Sequence, residues 1–174
     1  PVSFYKPPRT NKEAKHPPVV VGFGPAGMFA ALILAMAGLR PIVLERGEDA
    51  LTRQKKVEAF WSTGELDEKS NVQFGEGGAG TFSDGKLTTG IRDDLIREVL
   101  KGFRDAGAGE DIMYLAKPHI GTDVLRRVIV EIRNKMISLG GEILFDTKLE
   151  SFEVSDGRLR AINIIRKGSG DPVR

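Results

Sequence analysis

The segment from Val19 to Gly27, "VVVGFGPAG", constrains the fold more than any other part of the sequence. Its three β-branched residues favour a buried strand, and glycines follow directly at the spacing GxGxxG. The apolar stretch 25–38 predicts a helix that Gly38 ends, and 42–44 predicts a second buried strand. A strand, a helix and a strand in such quick succession predict two parallel strands joined by a right-handed crossover.

The spacing of the three glycines predicts a dinucleotide-binding site at the start of this helix. Gly22 permits a tight turn, Gly24 leaves space for a diphosphate, and Gly27 lets the helix approach the strand. The helix begins at Pro25 and Ala26, and its N-terminus would direct free N–H groups and a positive dipole at the anion. The alternative is a purely structural glycine turn.

Glu45 lies at the end of the second predicted strand, 18 residues after Gly27. A carboxylate there can accept hydrogen bonds from both ribose hydroxyls of an adenosine and would repel a 2′-phosphate. The alternative is a surface charge. The segments "GFGPAG" and "IVLERG", with Arg46 directly after Glu45, resemble the FAD-binding start of the glutathione-reductase-type flavoproteins.

A second glycine-rich stretch, 74–87, reads "FGEGGAGTFSDGKL". A linker would mix glycine with serine, proline and charge, whereas this stretch interleaves it with Phe74, Phe82 and Leu87, which favour burial. Its run of N–H groups with few side chains is typical of an anion-binding nest. We therefore expect a ligand-binding loop, with hydroxyl and ammonium donors from Thr81, Ser83 and Lys86.

The sequence resembles, over nearly its full length, a bacterial group of FAD-dependent dehydrogenases, often described as NAD-utilising, within the glutathione-reductase-type superfamily. The resemblance rests on "FYKPP", "PIVLERG", "NVQFGEGGAGTFSDGKL", "KPHIGTD" and "GGEILFDTKLESF". It implies a main-chain contact between Leu149 and adenine, and a second FAD-contact loop. The loop residues implied near the diphosphate and ribityl chain are Gly77, Gly78, Ala79, Gly80 and Thr81. Those implied nearer the flavin ring are Ser83, Asp84, Gly85 and Lys86.

The same resemblance implies FAD as cofactor, with NAD(P)H as electron donor to the flavin and a small molecule as acceptor. Lys86 is a candidate catalytic residue because a cation near the ring would stabilise reduced flavin; the alternative is a surface lysine. His119 could act as an acid or base near neutral pH. More simply, His119 fills a loop, and Thr122 or Asp123 favours the start of a helix.

The remaining pattern predicts helices over 49–61, 93–104 and 123–139, a third buried strand over 142–146, and a C-terminal hairpin. The hairpin is predicted from Asp156-Gly157, which separates two extended runs. For the 49–61 helix we expect one apolar face, formed by Leu51, Val57, Phe60 and Trp61. We expect its basic residues, Arg53, Lys55 and Lys56, to be exposed.

Together these elements predict an α/β, Rossmann-like FAD/NAD(P)-binding fold. It has a parallel sheet with helices on its faces, and the hairpin forms part of a β-meander. Residues 1–17 are expected to form a tail or interdomain linker. Residues 18–174 are expected to form an FAD-binding domain that is incomplete at its C-terminal end.

Composition narrows the function classes. The formal net charge is +2, which does not indicate a nucleic-acid partner. Cysteine is absent, so disulfides are excluded, and with two histidines we expect no metal site. Pro25 interrupts the charge-free stretch 17–39, so we expect no membrane span. From the lack of cysteine we expect a cytoplasmic protein. The sequence does not indicate an oligomeric state.

Two other functions remain open from the sequence. One is a non-catalytic dinucleotide-binding module, in which FAD acts as a structural or sensing ligand. The other is an NAD-only dehydrogenase domain, against which the long glycine loop weighs.

Overall fold

The core of the fold is a parallel sheet of three short strands. In the computed structural model the described residues are 9, 10, 14–68 and 70–168, so most of the predicted tail lies outside them. The strands are β1 (Val19–Val21), β2 (Ile42–Leu44) and β3 (Glu142–Leu144), in the order β1-β2-β3. Strand β2 pairs with both β1 and β3 and is therefore central, and both pairings are parallel. The predicted α/β fold is confirmed.

Within residues 14–68 and 70–168, four α-helices connect and cover these strands. They are α1 (Pro25–Met36), α2 (Ala50–Thr63), α3 (Leu95–Asp105) and α4 (Thr122–Ser138), and each end lies within two residues of its predicted position. Short 3₁₀ helices over Ala79–Phe82 and Glu110–Met113 were not predicted. Among the described residues, no helix is long and apolar enough to cross a membrane.

Capping residues explain where α2 begins and ends. The Asp49 side chain accepts hydrogen bonds from the main-chain N–H groups of Leu51 and Thr52, which fixes the helix start at Ala50. Gly64 adopts the left-handed conformation, with φ 77°, and ends the helix.

The hydrophobic core forms where α1 and α4 pack together over the central strand. Small residues of α1, Ala31 and Ala35, are buried and permit the close approach of α4. Phe29 of α1 meets Phe103 of α3 edge to face, with ring centroids 5.3 Å apart. The larger buried members are Phe23, Met28, Val43, Phe103, Ile112, Ile120, Leu125, Val128, Ile129, Ile132 and Met136.

The buried face of α2 differs from the predicted one. Leu51 and Trp61, expected in the core, are 62% and 63% exposed, whereas Arg53, expected in solvent, is 0% exposed. Ala50, Arg53 and Val57, at positions i, i+3 and i+7, face the protein instead. The predicted helix is present, but a different face of it is buried. This face is buried because the guanidinium of Arg53 donates to main-chain carbonyls inside the protein.

The chain leaves the parallel sheet earlier than predicted and then forms the hairpin. Strand β3 ends at Leu144 because Asp146 adopts φ 51° in a turn. The antiparallel strands β4 (Thr147–Ser155) and β5 (Arg158–Arg166) follow, joined by Asp156 and Gly157 with φ 53° and 69°. Positive φ at both turn residues matches the right-handed twist of the strands, so the predicted hairpin is confirmed.

Candidate dinucleotide site

The first glycine segment lies at the carboxyl end of β1. Gly22 adopts φ 90°, and its N–H donates to the carbonyl of Leu44, 2.7 Å away. A Cβ added to Gly27 would overlap the carbonyl oxygen of Gly22, so this position requires glycine. A Cβ added to Gly24 would meet no atom of the described residues within 4 Å. The space beside Gly24, at the N-terminus of α1, is therefore open to a ligand.

The N-terminus of α1 presents unpaired donors at this open space. Gly24 is the N-cap residue and has no side chain to satisfy them, and Pro25 stands in the first turn. Pro25 and Ala26 are both exposed. Within the part of the chain that the structure describes, the N–H of Ala26 has no acceptor. This arrangement fits an anionic group such as a dinucleotide diphosphate.

Glu45, predicted to bind a ribose, is 4% exposed and lies under the first glycine segment. One carboxylate oxygen accepts from the N–H of Phe23 at 2.6 Å, and the other from the N–H of Gly47 at 2.8 Å. Each oxygen keeps a second lone pair, so a ribose contact stays a prediction. Arg46 is exposed, and its guanidinium carbon lies 4.3 Å from the ring centroid of Phe74.

The second glycine segment packs directly against the first. The N–H of Gly77 donates to the carbonyl of Phe23 at 2.9 Å. A Cβ added to Gly78 would lie 2.9 Å from Cδ of Pro25. Both glycines have positive φ, 78° and 68°. The structure therefore brings together the two segments that the sequence predicts to hold one ligand.

Most polar side chains of the second segment bond within the loop. The buried Thr81 hydroxyl donates to the carbonyl of Glu76 at 3.1 Å, and the Ser83 hydroxyl donates to the carbonyl of Gly80 at 3.0 Å. By contrast, the exposed N–H groups of Ala79 and Gly80 have no acceptor among the described residues. These two main-chain groups therefore have the capacity to donate to an anion.

The two catalytic candidates are neighbours across an isolated antiparallel bridge between Lys86 and His119. Both side chains are exposed, and the Lys86 ammonium lies 2.7 Å from the Asp84 carboxylate. Their hydrogen bond raises the pKa of Lys86 and lowers the pKa of Asp84. The N–H of Ile120 donates to the carbonyl of Gly85 at 2.9 Å, which holds the bridge in place.

Thr122 links the same region to α4. Gly121, not Thr122 or Asp123, is the N-cap residue of α4. The Thr122 hydroxyl instead donates to the carbonyl of Ser83 at 3.0 Å. The start of α4 is thereby attached to the glycine loop.

Leu149, for which a main-chain adenine contact is predicted, lies in β4 opposite Ile164. The start of β4 lies beside the predicted ribose site, because the N–H of Thr147 donates to the carbonyl of Glu45 at 2.9 Å. Leu149 follows two residues later. The adenine contact stays a prediction.

Sequence reasoning missed three residues that hold the site together. The N–H of Phe23 donates to the Glu45 carboxylate, and its carbonyl accepts from the N–H of Gly77. Phe23 therefore links the predicted ribose-binding residue to the second glycine segment. Gly47 and Gly75 approach so closely that a Cβ on Gly47 would lie 2.9 Å from Cα of Gly75. All three lie in segments that the sequence marks, "GFGPAG", "IVLERG" and "FGEGGAG", but no local pattern shows that these residues contact one another.

An apolar groove of about 560 Å³ adjoins the second segment. It runs from Pro25 and Gly80 past Lys86 to the α3 residues Leu95, Val99 and Phe103. The groove is therefore continuous with the open space at α1.

Residues 15–58 match a family described as FAD binding domain. The matched segment includes both the first glycine segment and Glu45. The match supports an FAD-binding fragment. Over 152 residues the chain is 55% identical to an uncharacterised protein of Clostridium beijerinckii. The alignment covers 87% of this chain, and the chain spans 28% of that protein.

Solved structures share the fold at low sequence identity. THI4 of Thermovibrio ammonificans is 18% identical with a TM-score of 0.53, covering 90% of this chain and 52% of that one. The 3-ketosteroid-Δ4-(5α)-dehydrogenase of Rhodococcus jostii RHA1 is 17% identical with a TM-score of 0.53, covering 97% and 47%. The halogenase PltM is 14% identical with a TM-score of 0.50, covering 92% and 33%.

Proposed function

We propose that this chain is the FAD-binding portion of a flavin-dependent oxidoreductase. The observation that carries the proposal is the contact between the two glycine segments. At their junction, Ala26 on one side and Ala79 and Gly80 on the other have N–H groups without acceptors among the described residues. A diphosphate would supply the missing acceptors at both sides.

Named residues would hold each part of the cofactor. The diphosphate would accept from the N–H groups of Ala26, Ala79 and Gly80. The buried Glu45 carboxylate, fixed by two main-chain donors, would orient the adenosine ribose. The main chain at Leu149 would contact adenine. The FAD binding domain match over 15–58 supports this assignment over a site for NAD alone.

When bound, FAD would supply two-electron transfer between a reduced nicotinamide and a second small molecule. Lys86 would place a positive charge near the ring, and His119, its bridge partner, would hold or release a proton there. We assign NAD(P)H as donor, a small-molecule acceptor and a cytoplasmic location to the whole protein as parts of this proposal. The chain spans only 28% of its relative, so those sites belong to the proposal for the full-length protein.

Purification of the full-length protein tests the proposal. We expect a yellow protein that releases FAD on denaturation and oxidises NADH or NADPH in the presence of an artificial acceptor. A colourless protein that binds NAD but not added FAD would overturn the proposal in favour of an NAD-only domain. A yellow protein with no NADH or NADPH oxidation would leave FAD binding intact and overturn the catalytic part.

A further inference from the structure

Arg53 of α2 is a buried cation whose direct hydrogen bonds to the described residues all go to main-chain carbonyls. The side chain is 0% exposed. Its Nε donates to the carbonyl of Asn71 at 2.8 Å, and its Nη1 and Nη2 donate to those of Glu76 and Val72, each at 2.7 Å. All three guanidinium nitrogens are therefore engaged by the chain that enters the second glycine segment.

Arg53 also packs against that segment at two places, Gly75 and Phe82. A Cβ on Gly75 would lie 2.7 Å from Cδ of Arg53, so the absence of a side chain at Gly75 makes room for the arginine. The guanidinium carbon lies 4.8 Å from the ring centroid of Phe82, at the end of the 3₁₀ helix 79–82. One side chain thus contacts the loop before and after its exposed N–H groups.

A buried guanidinium whose direct partners among the described residues are all neutral carbonyls is costly to desolvate, and its three hydrogen bonds offset part of that cost. Burial lowers the pKa of Arg53 to about 10, although the negative charges of Glu45 and Glu76 act to raise it. Arg53 therefore remains protonated at neutral pH. Glu76, also 0% exposed, accepts from Ala50 and Arg133, which ties the same loop to α2 and α4.

We propose that Arg53 is a positioning residue for the cofactor loop. It fixes residues 71–82 so that Gly77 and Gly78 stay against Phe23 and Pro25. This inference rests on the proposed function, because the loop matters for FAD only if FAD binds there. Without the guanidinium, the carbonyls of Asn71 and Val72 lose this donor, and the carbonyl of Glu76 keeps the Thr81 hydroxyl as its donor. The loop then loses a side chain that binds it both before and after Ala79 and Gly80.

The test uses two variants and one control in the full-length protein. Arg53→Lys keeps the charge but loses the planar set of donors, and Phe82→Leu removes only the ring beneath the guanidinium. Lys55→Met, an exposed position on the same helix, is the matched control. The measurements are the FAD dissociation constant, the visible circular dichroism of bound flavin, and protease cleavage within 71–82 in flavin-free protein.

We expect the FAD dissociation constant to rise at least about tenfold in Arg53→Lys and about threefold in Phe82→Leu, at a temperature where each is folded. Loop cleavage should accelerate in both, and the flavin dichroism should change. Lys55→Met should stay within about twofold of wild type. If Arg53→Lys does not fold, Phe82→Leu decides.

The outcomes separate the two claims. A wild-type protein that binds no FAD would overturn the proposed function and the positioning role with it. A wild-type protein that binds FAD, with variants that lose only thermal stability and keep wild-type affinity, would overturn the positioning role alone.

Discussion

The two glycine segments contain the same residue for different reasons. In the first, 22–27, Gly27 is required because a Cβ would overlap the main chain of Gly22, while Gly24 borders open space. The first segment thus has two glycines that serve the fold, Gly27 and Gly22 with its φ of 90°, and one that leaves room for a ligand.

In the second segment most glycines serve the packing of the loop. Gly77, Gly78 and Gly85 all have positive φ, and a Cβ on each would collide with or crowd protein atoms. Gly80 does not have a positive φ, and a Cβ on it would meet no atom of the described residues within 4 Å. A glycine-rich sequence therefore indicated the right place, but the space around each glycine decides whether it serves the fold or the ligand. Alanine substitutions at a glycine of each kind test this distinction.

The largest effect is expected for Gly85→Ala. The new Cβ would overlap the carbonyl oxygen of Ile120, and φ of 76° disfavours any side chain. We expect the flavin-free protein to lose more than about 3 kcal/mol of unfolding free energy in denaturant titrations. Gly80→Ala, the control, should change it by less than about 1 kcal/mol. Equal losses in both variants would show that local space does not distinguish these glycines.

Glu45→Gln tests the residue on which the first segment rests. An amide offers one acceptor oxygen in place of two, so the N–H of Phe23 or Gly47 would lose its partner. We expect a loss of about 1–3 kcal/mol in unfolding free energy, because the orphaned donor is buried. FAD affinity, measured by titration of flavin-free protein, should fall as well. Unchanged stability with lower affinity would mean that the carboxylate serves the ligand alone.

Gly24→Ala should produce the opposite pattern to Gly85→Ala. Its Cβ would meet no atom of the part of the chain that the structure describes, so the unfolding free energy should stay within about 1 kcal/mol of wild type. The methyl group would occupy the space assigned to the diphosphate, and FAD affinity should fall at least about tenfold by calorimetric titration. Wild-type FAD affinity in this variant would show that the diphosphate does not bind beside Gly24.

The sequence predicted most of the fold because the relevant patterns are local. Periodicity and glycine spacing located the strands, the helices and the Asp156-Gly157 turn. The prediction of the buried face of α2 was wrong because the main-chain acceptors of Arg53 lie 18 to 23 residues further along the chain. No local pattern marks such partners. The contact between Gly78 and Pro25 was likewise hidden, since only the folded chain brings them together.

The smallest effect concerns charge outside both glycine segments. Burial alone would raise the pKa of Glu48, but hydrogen bonds and charges from Lys167 and Lys56 outweigh it and lower the pKa below its usual value. Such a group stabilises the fold above its unfolded-state pKa, and that contribution is lost as pH falls through the folded-state value. Glu48→Gln should therefore cost at most about 1 kcal/mol at neutral pH.

Unfolding free energies of wild type and Glu48→Gln, measured across the acid range, should converge as pH falls. FAD affinity should be the same in both proteins. A difference that persists unchanged at acid pH would mean that the ion pairs to Lys56 and Lys167 do not contribute as inferred.

The central claim is that main-chain N–H groups from both glycine segments hold one diphosphate. The crystal structure of the full-length protein with FAD tests it most directly. We predict diphosphate oxygens within hydrogen-bonding distance of the N–H of Ala26 and of Ala79 or Gly80. A diphosphate bound at α1 without the second segment, or away from both, would contradict the account.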